Sequence, residues 1–157
     1  MSRFDEVFDV KENAMKLLIM DDALVNALTN KEIDETVTKR LDLPYTQIFP
    51  YKKAIQETLT EKTCFITMEF AAFGSSQTKF KESSLVFYII VHEDLMRMKL
   101  GNRYVVRTDF LAHRIDTLFN QSRGFGIGTL QFGGMKSVEL PNGWEGLAIY
   151  YNTIDFN

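Results

Sequence analysis

The sequence has 157 residues, of which 45% are hydrophobic and 25% charged, a composition typical of one soluble globular domain with its own core. The formal net charge is −3, so the chain has no basic excess to neutralise phosphates, which argues against tight nucleic-acid binding by a monomer. The one cysteine, Cys64, excludes an internal disulfide, and its alternating apolar neighbours predict a small buried side chain.

No targeting or membrane segment is visible. The N-terminal stretch MSRFDEVFDV lacks the apolar centre of a signal peptide, and the longest apolar run, residues 85–91, is too short to span a bilayer. We therefore expect a protein that is made and used in a cytoplasm-like compartment, without a membrane partner. Neither a repeat nor a linker divides the chain, so one domain is expected over residues 1–157.

The N-terminal part is predicted to be helical over residues 5–29, because apolar residues recur there at three- and four-residue spacing. Asp21 interrupts the apolar stripe, and a carboxylate at that position can accept the free amide hydrogens of a new helix. We expect a kink or break at residues 20–22. Residues 30–61 contain two proline–aromatic pairs and little periodicity, which predicts an extended loop lying on its own sheet or on a neighbouring subunit.

The middle of the chain, residues 63–93, is predicted to form an antiparallel hairpin. Residues 63–73 alternate with period two, whereas residues 85–91 are apolar on both faces, as in a central strand covered on both sides. The polar residues 74–82 would form the tip. Residues 94–106 are expected to be a second loop or a short irregular element.

The C-terminal part is predicted to contain a helix over residues 108–121 and a second hairpin over residues 127–156. The dipeptide Asn142-Gly143 is a strong signal for the turn of that hairpin. An N-terminal helix followed by the order ββαββ predicts an α+β fold with an antiparallel sheet packed by helices.

The glycine-rich stretch SRGFGIGTL, residues 122–130, suggests a phosphate-binding loop. Such a loop precedes a helix N-terminus, whereas this one follows a predicted helix, whose C-terminal end repels phosphate. Gly124 suits the left-handed residue after a helix, and the glycines beyond it would let another backbone or an aromatic ring lie close. We therefore expect no nucleotide cofactor.

Two sets of titratable residues raise the question of an enzyme. Asp109, His113 and Asp116 have the spacing of metal ligands on one helix face, but that face, opposite the apolar stripe, also suits solvent or a neighbouring subunit. His92 could act as a general base beside two carboxylates, or simply pack and cap a strand end. No nucleophile or zinc motif accompanies them, so we expect no enzyme, no catalytic residue, no cofactor and no metal. A small enzyme using His92, Asp94, His113 and Asp116 is the alternative, and it requires both histidines to share one pocket.

The remaining candidates are contact residues. Met96 and Met98, alternating with cations, are typical of an adaptable contact surface. Arg107 and Arg114 flank the apolar helix face, where arginine suits either an interface or an ion pair within the chain. The predicted interface residues are Phe80, Lys81, Met96, Arg97, Met98, Arg107, Asp109, His113, Arg114 and Asp116.

Two stretches resemble the tail-terminator (tail-completion) family of long-tailed bacteriophages. They are SLVFYIIVHEDLM, residues 84–96, and YVVRTDFLAHRIDTLFNQSRGFGIGTLQFG, residues 104–133. The shared features are a strand ending in H-x-D-L, an R-T-D-x-L-A-H-x-I-D helix and an N-x-S-R-G-F-G-I-G turn. The resemblance covers the C-terminal half strongly and the N-terminal helix weakly.

The resemblance implies a structural protein of the virion neck, assembled in the host cytoplasm. It would form a homo-oligomeric ring, a hexamer, that caps the tail tube and joins it to the head-completion or connector protein. DNA would pass through the lumen without sequence-specific binding, and a mildly acidic protein suits such passage. A head-side connector or adaptor of the same neck is the alternative.

Overall fold

The computed structural model describes residues 3–30, 40–53, 62–71, 81–122 and 129–155. The named elements of these described residues are three α-helices, seven strands and a short 3-10 helix at Glu93–Leu95. Their chain order is α1 (Arg3–Met20), α2 (Asp22–Thr29), β1 (Ile48–Phe49), β2 (Cys64–Ala71), β3 (Lys81–His92), β4 (Arg97–Leu100), β5 (Arg103–Val106), α3 (Arg107–Phe119), β6 (Thr129–Glu139) and β7 (Trp144–Asp155). The arrangement is α+β, which confirms the predicted fold class.

The main sheet has five described strands in the order β1-β2-β3-β7-β6. β2, β3, β7 and β6 pair antiparallel, so the two predicted hairpins join through β3 and β7. β1 is the exception in this mostly antiparallel sheet, because it pairs parallel to β2. The extended loop predicted over residues 30–61 therefore contributes a two-residue strand, which is too short to produce a periodic signal.

Both faces of β3 are covered over residues 85–91, as the uninterrupted apolar sequence there predicts. Leu85, Phe87, Ile89 and Val91 are fully buried in the main core beneath the helices. Ile90 points the other way, into a smaller cluster with Phe49, Phe65 and Trp144. This central position explains why the strand lacks the polar alternation of a half-exposed strand.

The predicted break in the N-terminal helix is confirmed at Asp21. Its carboxylate accepts a hydrogen bond from the Leu24 amide at 2.8 Å and so caps α2. The same carboxylate binds the Arg114 side chain of α3, with Nε–Oδ1 and Nη2–Oδ2 distances of 3.2 and 2.5 Å. A polar residue on the apolar stripe is thus tolerated because it is fully paired between two helices.

The turn between β6 and β7 is the one predicted from Asn142-Gly143. Both residues have positive φ, 61° and 81°, as the central pair of a type I′ turn requires. The glycine-rich residues 123–128, including Gly124, lie outside the described residues. The predicted hairpin tip lies outside them too, up to Phe80; Lys81 opens β3.

The glycines of β6 do allow an aromatic ring to lie close. A Cβ atom on Gly133 would meet Tyr150 Cε2 at 2.5 Å and Asn152 Nδ2 at 2.8 Å, and one on Gly134 would meet the Tyr150 hydroxyl at 2.7 Å. The Tyr150 ring therefore covers the glycine pair, at the β-bulge between Phe132 and Gly134.

Substitution of Gly133 by alanine is expected to lower the free energy of unfolding by about 1–2 kcal/mol, because the new methyl group displaces the Tyr150 ring. Urea unfolding of Gly133→Ala, Tyr150→Ala and the double variant measures this. Gly133→Ala should lower the free energy of unfolding clearly less in the Tyr150→Ala background than in wild type. Equal costs in the two backgrounds would show that the ring is not what the glycine accommodates.

One buried hydroxyl in the sheet is unpaired. Thr67 of β2 is fully buried, and its Oγ1 atom has no hydrogen-bond partner within the described part of the chain. Because an unpaired buried hydroxyl carries a desolvation cost, Thr67→Val is expected to raise the free energy of unfolding by about 1 kcal/mol. Thr46→Val is the control, since the Thr46 hydroxyl donates to the Leu43 carbonyl at 3.1 Å and no gain is expected. A loss of stability in Thr67→Val during urea unfolding would contradict the prediction.

Candidate functional site

A two-stranded hairpin stands apart from the main sheet. Within residues 94–106, which were predicted to be a loop or an irregular element, positions 97–100 and 103–106 form β4 and β5, and these pair only with each other among the described strands. Their turn is Gly101-Asn102, and Gly101 has φ of 61°, as the first central residue of a type II′ turn requires. A glycine–asparagine pair between RMKL and RYVV is a recognised hairpin signal, so this element was detectable from the sequence.

The hairpin, residues 97–106, is basic and partly apolar. It contains three cations and no acidic residue. The Arg97 guanidinium lies 4.7 Å from the centre of the Tyr104 ring, and Tyr104 is 62% exposed. A groove of about 700 Å³ lies between the hairpin and α2, while Met98 of the hairpin packs against the main core.

A second, smaller groove lies between α3 and the strands β6 and β7. Its volume is about 260 Å³, and its lining residues are Asp109, Ala112, His113, Asp116, Phe132, Met135, Leu147, Ile149 and Tyr151. The strands supply an apolar floor, while α3 supplies a rim with two carboxylates and one histidine. We refer to these nine residues as the acidic groove.

Within the acidic groove, Asp116 is half-buried and accepts a hydrogen bond from the Tyr151 hydroxyl at 2.9 Å. Burial and the bond to the Asp116 carboxylate both raise the pKa of Tyr151, so this hydroxyl remains a donor. On the helix face predicted to suit solvent or a neighbouring subunit, Asp116 is therefore partly covered within the chain, because β7 lies alongside it. Asp109 and His113 are exposed at the rim.

The hairpin and the acidic groove lie on opposite flanks of α3. Arg107 and Phe110 line the space beside the hairpin and α2, whereas Asp109, Ala112 and Asp116 line the acidic groove. At about 100° per residue, these two sets of side chains lie roughly half a turn apart. The buried residues of α3, which point into the main core, occupy the sector between them.

The two arginines predicted as contact residues are bonded inside the chain. Arg107 is only 4% exposed and donates to the carbonyls of Leu95 and Ala27, at 2.6 and 2.5 Å, and to Asn30 Oδ1 at 2.9 Å. Arg114 pairs with Asp21, which is the ion-pair alternative weighed from the sequence. Met96 and Met98 pack against the main core with part of their surface.

The candidate enzyme residues do not converge. The His92 ring packs edge-on against Trp144, with ring centres 5.2 Å apart, and its Nδ1 accepts the Asp94 amide hydrogen at 3.2 Å. This places His92 with the smaller cluster, while His113 belongs to the acidic groove on the helix side of the sheet. The requirement of a shared pocket is not met, and the packing and capping role predicted for His92 is confirmed.

The structure also places Cys64, which the sequence predicted to be a small buried side chain. Cys64 is buried, and its thiol donates to the Leu28 carbonyl at 2.8 Å. Burial raises the pKa of Cys64 to about 11, so the thiolate is scarce at neutral pH.

Within residues 3–30, 40–53, 62–71, 81–122 and 129–155, no group of three or more His, Cys, Asp or Glu residues could hold a metal ion. The helices in that part of the chain are also too short or too polar to cross a membrane.

Comparison with known proteins gives one family match. The family model YomW matches residues 21–153, a range that includes α2, α3, the hairpin and almost all of the main sheet. No curated protein matches the chain.

Proposed function

Because the chain belongs to the YomW family, a phage-derived, SPbeta-like family of proteins, we propose that it is a structural subunit of phage assembly. It forms a ring that caps the tail tube and joins it to the head connector. Its working parts are surfaces rather than reacting groups. DNA passes through the lumen of the ring, and the net charge of −3 keeps the subunit from holding phosphates strongly.

The observation that carries this proposal is the exposed apolar surface on either side of α3. Tyr104 of the hairpin is 62% exposed, and Met135 and Phe132 of β6 are 60% and 49% exposed. Large apolar side chains grouped in this way mark contact sites for other proteins. A closed ring would cover both groups, because each subunit meets one neighbour on each side.

The outer edge of β6 supports the same proposal. β6 is an outer strand of the described sheet. Its first part already bonds to the residues that follow α3, through the Leu130 backbone to Gln121 and Ser122 and through the Phe132 amide to Asn120. Residues 133–139 are therefore the part of the edge that presents backbone donors and acceptors to another chain. A monomer would leave this edge and the neighbouring apolar residues open to unspecific pairing. Contacts with another subunit or with the tail tube would pair the strand edge and bury the apolar residues.

The test is direct imaging. Negative-stain microscopy of the purified protein, alone and mixed with preformed tail tubes of the same phage, is expected to show rings and tubes closed at one end by a ring. Binding to head connectors but not to tubes would favour a head-side adaptor. Light scattering that shows only monomer in every condition, tubes included, would overturn the proposal.

A further inference from the structure

We propose that the β4–β5 hairpin of one copy docks in the acidic groove of the next copy. This proposal rests on the proposed ring and identifies the two surfaces that would form its subunit contacts. The hairpin is the occupant and a second copy of this chain is the partner. The argument depends on charge, apolar surface and the placement of the two surfaces on the subunit.

Charge complementarity is the first support. Arg97, Lys99 and Arg103 give the hairpin three positive charges with no acidic residue between positions 97 and 106, although the whole chain is net negative. The rim of the acidic groove carries Asp109 and Asp116. Patches of opposite sign on one kind of subunit attract copies to each other and orient them as they meet.

The apolar residues of the two surfaces also match. The hairpin exposes Leu100, Tyr104 and Val106, and the acidic groove exposes Phe132 and Met135. Tyr104 and Val106 share one face of the hairpin with their cross-strand neighbours Lys99 and Arg97, and Leu100 shares the other face with Arg103. Phe132 and Met135 line the same groove as the two carboxylates. An apolar centre surrounded by charged groups is the usual anatomy of a specific protein contact.

Geometry excludes docking within one chain. The hairpin lies beside α2 and the start of α3, whereas the acidic groove opens on the opposite flank of α3. A hairpin cannot reach the groove of its own subunit through the core that separates them. It can reach the groove of a neighbour, and such a head-to-tail contact repeats around a ring until the ring closes.

Charge reversal on each surface tests the contact. The hairpin variant carries Lys99→Glu and Arg103→Glu, and the groove variant carries Asp109→Lys and His113→Lys; all four residues are exposed. Asp116 is left unchanged because it holds Tyr151. The matched control carries Lys16→Glu and Lys136→Glu, which are exposed residues on α1 and on the β6 face away from the groove.

Sedimentation equilibrium measures the association of each protein. Each charge-reversed variant alone is expected to associate at least about tenfold more weakly than wild type, because its own hairpin and groove now repel. An equal mixture of the two should associate again, since hairpin and groove then differ in sign at every contact between unlike subunits. The control should associate like wild type, and thermal unfolding monitored by circular dichroism confirms that each variant is folded.

Two results would overturn the proposal in distinguishable ways. Undiminished association of the hairpin and groove variants, or a mixture no stronger than its components, would rule out this contact while leaving the ring itself standing. A wild-type protein that stays monomeric at every concentration and in the presence of tail tubes would remove both the contact and the ring.

Discussion

Arg107→Ala is expected to lower the free energy of unfolding by about 3–5 kcal/mol, because it leaves several buried acceptors without a donor. The Arg107 guanidinium joins the C-terminal end of α2, through the Ala27 carbonyl and Asn30, to the Leu95 carbonyl just before the hairpin. A cation at the C-terminal end of a helix also interacts favourably with its dipole. Urea unfolding at pH 7 measures the loss.

Two controls separate this network from charge alone. Arg107→Lys keeps the charge but cannot reach three separated acceptors, so it should recover only part of the loss. Arg103→Ala, at the exposed first residue of the hairpin strand β5, should change the free energy of unfolding by less than about 0.5 kcal/mol. Similar small changes in Arg107→Ala and Arg103→Ala would contradict the buried network.

Asp21→Ala is expected to lower the free energy of unfolding by about 2–4 kcal/mol, because it removes a helix cap and the partner of Arg114 together. Asp21→Asn is the matched variant. Asparagine caps a helix as well as aspartate does but cannot neutralise Arg114, so it should lose only the ion-pair part. Equal losses in the two variants would show that the cap contributes little.

The same residue predicts a dependence on pH. Burial of the Asp21 carboxyl disfavours its charge, but hydrogen bonds from Arg114 and Leu24 outweigh this effect and lower the pKa of Asp21. Stability from the carboxylate is therefore complete above the unfolded pKa of about 3.9 and is lost as the pH falls through the folded pKa. The difference in free energy of unfolding between wild type and Asp21→Asn should shrink from pH 7 to pH 3. A difference that stays constant over this pH range would show that the charge of Asp21 does not stabilise the fold.

A ring contact through the hairpin would also explain a feature that stability does not. Exposed Tyr104 and Leu100 side chains contribute little to the stability of a single subunit, and polar residues at these positions would make a monomer more soluble. The free-energy cost of exposing these apolar side chains to water is offset only when a partner covers them. In the single subunit, the Arg97 guanidinium lies over the Tyr104 ring and covers part of it.

Local signals predicted several elements from single residues. Asp21 marked the helix break because a cap acts over only three residues, and Asn142-Gly143 marked a turn because positive φ angles favour those two residue types. The apolar run at residues 85–91 identified a central strand because both of its faces must be buried. Gly101-Asn102 carried an equally local signal for the hairpin, which was missed among the interleaved cations.

What the sequence by itself determined is therefore the fold class, the helix break, the turn at Asn142-Gly143 and the burial of Cys64, since the residue patterns behind them are local. Tertiary structure alone decided that Arg107 is buried and that Asp116 meets Tyr151, because these partners lie far apart in the chain. It also decided that the basic hairpin and the acidic groove lie on opposite flanks of α3. Such placement depends on how α2, β6 and β7 pack around one helix, and no local spacing of residues encodes that packing.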